Sequence, residues 1–448
     1  MSKRIKDFDE ASEVLSDDYI LMDSPTGGTR KYLTRSFFAA AAAAASPVLD
    51  DWSEAAMYIN AGLGQVYFPV GSAFAEDWST WASEGASEAA YAPRFDVMHH
   101  MRGLLGTGEE IPVMVAQMHH CLPFETQFSP YQAFLAVAGS TPLPAGTYHV
   151  TMGFSWGTHV VSGKSYQFTL ASALPVGGQL CGFYGAPDQA PSNWKVYAYE
   201  SATATTATET VSVTDGTGGT SLGTFTAAGV LVPASGTPAT SVVTVGSTAV
   251  TVYGLNSLHR VAYGNNRWLH SPLRQFLNKS GFNWWSPATV FDRPPAYASR
   301  KGFLSGFSED FLAHIRPIKR ETALSYVTDG GTSGAPEYDV TYDRFVLPSG
   351  REHFLADNST FGGGAGREGD EWTGWKNIAN VSTAKAWYGT YPEFIQYDLA
   401  SPTTPRHVWM RSASRSGGHH VAIVHSSGNC INHHAVHGYR AAPACAIG

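Results

Sequence analysis

Seven of the 17 histidines in this 448-residue chain lie from His407 onward. They are His407, His419, His420, His425, His433, His434 and His437, set among Gly, Ser, Asn and small apolar residues. An imidazole can ligate a metal, move a proton or exchange hydrogen bonds near neutral pH. A zinc site needs three or four oriented ligands. Adjacent side chains of a strand point to opposite faces, so His419-His420 and His433-His434 are not expected to chelate as pairs. His433 and His437 have the i,i+4 spacing that serves a metal on a helix. The Gly and Asn content, and the lack of an apolar period of about 3.6 residues, argue against a helix there. No Asp or Glu follows Asp398, and calcium needs carboxylates. Arg406, Arg411, Arg415 and Arg440 would repel it further. No metal and no cofactor are therefore expected.

The same segment reads as short strands and turns. Val421, Ile423 and Val424 hold the frame, and the polar residues are displayed outward. Adaptable side chains on a loop-rich surface suit contact with a partner. Exposed imidazoles there would titrate between roughly pH 5 and 8.

Two motifs suggest a serine hydrolase. Gly153-Phe154-Ser155-Trp156-Gly157 fits a nucleophile elbow, but the elbow needs a helix after the serine. Thr158-His159-Val160-Val161 is strand-like instead. Gly331-Thr332-Ser333-Gly334-Ala335-Pro336 resembles a protease nucleophile loop, without a supporting pattern for its His and Asp partners. It reads as a Gly-rich insertion between strands. Cys121, Cys181, Cys430 and Cys445 lack metal-motif spacing and are expected as small buried apolar residues. Trp284, Trp285 and Trp372 are expected to pack rather than to stack sugars. The chain is not expected to be an enzyme.

The elements that must position these residues are mostly strands. Only 15% of residues are charged, against 43% hydrophobic and 12% aromatic, and the net charge is -8. Surfaces rich in Thr, Ser and Gly are implied, and no basic cluster suggests nucleic acid. No stretch is apolar and long enough to span a membrane. Met1 to Asp9 is charged and has no apolar core of a signal peptide, so synthesis in a cytoplasm is expected. Residues 1–38 contain a hairpin signature around Ser24-Pro25-Thr26-Gly27-Gly28. Residues 39–50 are an Ala-rich spacer. Residues 51–125 mix signals: Trp52, Ala55, Ala56 and Ile59 share a helix face, and Gln65 to Gly71 reads as a strand. Residues 126–253 alternate as in Gly146 to Met152 and Tyr166 to Leu170, which predicts a β-sandwich. Leu143-Pro144-Ala145-Gly146 and Leu174-Pro175-Val176-Gly177 echo each other. Residues 255–448 form an α+β domain with short helices at Pro272 and after Ser308. The fold class is thus multi-domain and β-rich: an N-terminal β module, a Thr/Ser-rich sandwich and an α+β C-terminal domain.

Several segments of the last part carry a resemblance. They are Arg260-Val261-Ala262-Tyr263-Gly264-Asn265-Asn266-Arg267-Trp268, Ser271 to Asn278, Phe291-Asp292-Arg293-Pro294, Gly302 to Phe307, Tyr342 to Ser349, Trp409-Met410-Arg411-Ser412 and Ala442-Pro443-Ala444-Cys445. Residues 255–448 resemble the C-terminal domain of phage and prophage tail-associated variable proteins of diversity-generating retroelements, the tropism-determinant class. Residues 142–215 resemble middle regions of the same proteins, and the first 38 residues resemble virion-attachment starts. The resemblance implies a C-type-lectin-like fold and a receptor-binding role on a virion tail or surface fibre. A reverse transcriptase would mutate template adenines copied into the last coding segment. It implies varied, ligand-binding positions at His419, His420, Ala422, Ile423, His425, Asn432, His433, His434, Val436, His437 and Tyr439. The implied framework is Trp409, Arg411, Val421, Val424, Gly428, Ala435, Pro443 and Ala444. Arg440 stands where relatives often have Gly. Formylglycine-generating enzymes share that fold, but they need a reactive Cys pair, and Cys430 and Cys445 sit among apolar residues. The implied partners are a bacterial cell-surface receptor, protein or glycan, and other virion proteins through the N-terminus. A homotrimer is expected, because multivalency offsets weak single sites. The alternative is a structural fibre protein without diversification.

Overall fold

The computed structural model describes residues 20–24, 28–32, 52–182, 188–234, 240–329, 337–356, 361 and 368–448. Six strands position the histidine-rich segment. They are β1 (Arg94–Leu104), β2 (Glu110–Met118), β3 (Val408–Ala413), β4 (His420–Val424), β5 (Cys430–His434) and β6 (Ala444–Ile447).

β6 lies antiparallel between β2 and the short strand Phe345–Val346, β1 pairs with β2, and Ala73–Ala75 closes the far edge. Every residue of β6, and Val113 to Met118 of β2, is buried. Such near-continuous apolar runs, interrupted in β2 only by Gln117, belong to strands covered on both faces. Phe95, Met114, Ala116, Phe345 and Ile447 enter one core, while Met98, Val115 and Ala444 join Trp372, Trp375 and Phe394 in another. The sequence sets residues 51–125 apart from 255–448; here the two segments share a sheet and a core. Cys445 pairs with Ala116, a partnership that no local pattern in either strand encodes.

The helix expected near Trp52 spans Trp52–Asn60 and buries Ala55, Ala56 and Ile59. The strand expected at Gln65 to Gly71 does not form. Gly64–Tyr67 is a helical turn instead. Leu63 N donates to Tyr58 O at 2.9 Å and the Tyr67 ring stacks on Tyr58 at 4.0 Å, so contacts with the preceding helix override β propensity. Ser271 and Ser308 cap their short helices, accepting from Leu273 N and Phe311 N. All four cysteines are free and buried, as their surroundings suggested. Trp284 and Trp372 are core residues.

Residues 133–253 form the sandwich. A five-stranded sheet containing Gly146–Met152 and Ser165–Leu170 faces a six-stranded one containing Ala133–Ala138, Gln179–Gly182 and Thr248–Tyr253. Tyr148, Val150, Phe168, Trp194 and Val250 fill the space between. The two echoed Leu-Pro segments meet: Leu143 and Leu174 exchange backbone hydrogen bonds of 2.9 and 2.8 Å. The expected start at residue 126 shifts, because Thr126–Gln127 pairs with Gly438–Tyr439 of the C-terminal region. The first and last sandwich strands are neighbours, Val137 opposite Val252. The sandwich therefore leaves and re-enters the remainder at one place.

β3, β4 and β5 form a separate antiparallel sheet, with His420 opposite His434, Val421 opposite His433 and Ala422 opposite Asn432. Both its faces are covered. Trp409, Val421 and Ile423 pack with Phe128 and Trp268, while Met410, Ala422, Val424 and Cys430 pack with Trp375 and Phe394. Within β3 the fully buried Arg411 pairs with Glu352 and donates to Leu347 O at 3.0 Å. Glu352 also holds Arg320 at 2.9 Å, and Ser349 N donates to it at 2.9 Å. Burying charges is costly unless they are paired; Glu352 pairs with both guanidinium groups, while Nε of Arg320 and Nε of Arg411 are buried without a partner.

The expected N-terminal hairpin forms between Ile20–Ser24 and Gly28–Tyr32. Ala39 to Ala45 and Gly331 to Pro336 lie outside the described residues. The architecture is β-rich and built from several sheets, as the composition indicated. Among the described residues, no helix is long and apolar enough to cross a membrane.

Candidate functional site

The histidine-bearing turn before β4 is held from below. Asn266 is fully buried, and its side-chain amide donates to Ser414 O at 2.9 Å and Gly417 O at 2.8 Å, with His420 O at 3.0 Å. Asn266 N donates to Gly418 O at 3.1 Å, and Arg260 Nε donates to the same oxygen at 3.0 Å. Asp329 fixes the Arg260 guanidinium at 2.5 Å. A Cβ at Gly418 would collide with the Thr328 side chain, so glycine alone fits there without a shift of its neighbours. Ala435 N donates to His419 O at 2.9 Å, tying the turn to the end of β5.

His419 consequently belongs to the turn, and strand alternation begins only at His420. The two adjacent rings lie together, with centroids 3.9 Å apart. His434, opposite His420 across the sheet, places its ring 4.8 Å from His420 and 5.2 Å from His419. The ligating nitrogens of these three histidines all lie within 4.8 Å of one another. The expectation that His419-His420 cannot act as a pair is therefore wrong. His433-His434 does follow it: those rings stand 6.0 Å apart at 88°.

Aromatic residues wall the triad. Tyr263 stacks on His434 at 4.0 Å, His259 on His419 at 4.9 Å, and Trp156 meets His259 edge-on at 4.0 Å. Trp156 comes from the sandwich loop whose sequence resembles a nucleophile elbow. No helix follows Ser155 there, and its hydroxyl accepts from Ser162 N at 3.2 Å, which gives it a turn-closing role. His259, Tyr263 and Trp156 escape the sequence reading as site residues. The segment Arg260 to Trp268 stands out, yet nothing local links it to the histidines.

A second group lies on the other face of β5. His433 Nδ1 and His437 Nδ1 are 2.6 Å apart, so one donates and the other accepts. The Tyr439 hydroxyl is 3.2 Å from His437 Nδ1, and His407 stacks on His425 at 4.0 Å. Beside them a cleft of about 300 Å³ is lined by Glu125, Arg406, His407, Ser426, Tyr439 and Arg440.

Of the eleven sequence-derived positions, His420, His425, Asn432, His433, His434, Val436, His437 and Tyr439 are half-buried. His419, Ala422 and Ile423 are buried, the last two completely. Ala422 and Ile423 cannot be display residues, because cores cover both faces of β4. All eight framework positions are buried.

Burial, which penalises the charged imidazolium, dominates the electrostatics. It lowers His434 to about 3 and His420, His433 and His259 to about 4, and pushes His419 lower still. Neighbouring histidines reinforce the effect on His419, His433 and His434. These rings are uncharged at neutral pH, so the titration expected between pH 5 and 8 does not apply to them. A neutral imidazole offers one donor and one lone pair. The site can thus hydrogen-bond, stack or ligate a soft-to-borderline metal, and it presents no cationic surface from these groups.

Residues 244–448 match the sequence profile of a domain of unknown function, DUF6273. No curated protein and no solved structure matches the chain. The matched stretch contains the eleven positions, Asn266, Arg260, His259 and Tyr263, but not β1 and β2, which complete its sheet, nor Trp156, which covers His259.

Proposed function

We propose that this chain is a receptor-binding protein of a phage or prophage virion, with a C-type-lectin-like C-terminal domain that displays a diversified ligand-binding face. The observation that carries the reading is a division of labour within one sheet. β4 is packed on both faces and its leading turn is clamped by Asn266 and Arg260, while side chains at β5 and beyond reach the surface. Such a support tolerates changes at the rim without loss of fold. The display set is His420, His425, Asn432, His433, His434, Val436, His437 and Tyr439. His419, Ala422 and Ile423, all buried, leave it. The return of the C-terminal strand β6 to pair with β2 is compatible with a lectin-like domain. The chain is proposed to assemble as a homotrimer on a tail or surface fibre, with its N-terminus attached to other virion proteins.

The test is population sequencing of the last coding segment together with host-cell binding. Substitutions are expected to concentrate at the display set and to spare Trp409, Arg411, Val421 and Ala444. The triple change His425→Ala, His433→Ala, His437→Ala should abolish cell binding while shifting stability by no more than about 1.5 kcal/mol in total. Substitutions spread evenly over 255–448, with binding intact, would leave a static structural fibre protein as the better reading.

A further inference from the structure

We propose that His419, His420 and His434 form a binding site for a divalent transition metal of the zinc class, with one coordination position open. Their ligating nitrogens already lie within 4.8 Å of one another. A tetrahedral zinc with bonds of 2.0–2.1 Å separates its ligand atoms by about 3.3 Å, so side-chain shifts on the order of 1 Å close the set. Two ring nitrogens of the cluster also lack partners. Nδ1 of His419 and Nδ1 of His434 are buried without a hydrogen-bond partner, and His419 is 6% exposed. Buried polar atoms are normally satisfied, and an ion bound at the atom is one of the standard reasons for exceptions.

The surroundings favour this class of ion. The cluster holds three imidazoles and no carboxylate among the described residues, which excludes calcium and magnesium and suits Zn²⁺, Ni²⁺, Co²⁺ or Cu²⁺. Three protein ligands are the number found where a fourth position is left for water or an incoming donor atom. Tyr263 and His259 stack against two of the rings and limit their rotation. His259, whose Nδ1 is also buried without a partner, stacks on His419 at the edge of the cluster. Metal binding is measured on the isolated chain, so it stands or falls separately from the receptor-binding reading.

The test is calorimetric titration of the chelator-treated full chain with zinc chloride. One saturable equivalent per chain is expected. His434→Gln and His419→Gln should each weaken it by about 100-fold or more. His433→Ala with His437→Ala should leave it unchanged, although the same pair should impair cell binding if the receptor reading holds. Zinc-edge X-ray absorption of the native chain gives an independent readout should a variant fail to fold. It should show three imidazole nitrogens at about 2.0–2.1 Å. Absence of a saturable equivalent, equal affinity in His434→Gln, loss of binding in the His433/His437 variant, or an oxygen-dominated shell would each overturn the site.

Discussion

Ile423 and His425 are two positions apart and do opposite jobs. Ile423 is fully buried against Trp409 and Phe128, whereas His425 emerges past the end of β4. Ile423→Ala should cost about 2–5 kcal/mol through lost burial and a residual cavity, and His425→Ala less than about 0.5 kcal/mol, both read from urea midpoints. Framework residues are legible from their types: Val421, Val424 and Trp409 are apolar and buried as expected. Ile423 is ambiguous because the resemblance marks it as varied while its chemistry marks it as core, and the chemistry prevails. His353 is not legible at all. It is buried on Trp375 with ring centroids 3.8 Å apart, and neither of its nitrogens has a partner. Burial lowers it to about 3 from an ordinary 6.5. The unfolded chain takes up a proton below pH 6.5 that the folded chain refuses until about pH 3. The folded state is therefore penalised as pH falls through that window, by about 1.4 kcal/mol per unit, and is unaffected above it. His353→Leu should remove this increment from the slope of stability against pH between about 3 and 6.5. An unchanged slope in denaturant titrations would show that His353 is hydrated.

At the scale of elements, alternation serves well where a strand is two-faced and badly where its ends turn. The sandwich strands Gly146–Met152 and Ser165–Leu170 alternate in sequence and in burial, so the residue pattern alone assigns their inner and outer faces. β4 shows the limit. Four of its five residues are buried whatever their parity, because separate cores cover its two faces. One residue earlier, His419 escapes alternation altogether, and that single position decides whether three histidines can meet. The deciding contact is Asn266, some 150 residues upstream of the turn it holds. Asn266→Ala would leave Ser414 O and Gly417 O without their buried donor, at about 1–3 kcal/mol for each unsatisfied group. Hydrogen exchange should accordingly rise in residues 414–420 and stay unchanged in residues 146–170. Uniform loss of protection across both regions would mean that the clamp supports the whole fold and not the turn.

For the whole molecule, the informative feature is that one unit is closed by its two ends with a sandwich inserted between them. β2 and β6 are more than 300 residues apart and pair directly, which no local pattern could disclose. The inserted sandwich is docked by polar contacts as well as by its paired ends. Arg293 donates to Gln179 Oε1 at 3.0 Å and to Ser201 O at 2.9 Å, and its guanidinium lies 3.4 Å from the centre of the Tyr199 ring. Gln179 in turn donates to Val290 O at 2.7 Å. Arg293 is 3% exposed, so removing it strands several buried acceptors. Leu258 and Val261, from the segment that follows the sandwich, also sit in the sandwich core. Domains joined by such an interface are expected to unfold together, whereas weak interfaces allow separate motion. The native chain should therefore show one calorimetric transition. Arg293→Ala should split it in two, with the sandwich and the C-terminal unit melting apart. Trp156 makes the separation visible at the histidine site, since it reaches His259 only while the sandwich is docked. Its fluorescence should change in the first transition of the variant. Two transitions already present in the native chain would show that the docking contacts contribute little, and that the covering of His259 by Trp156 is transient.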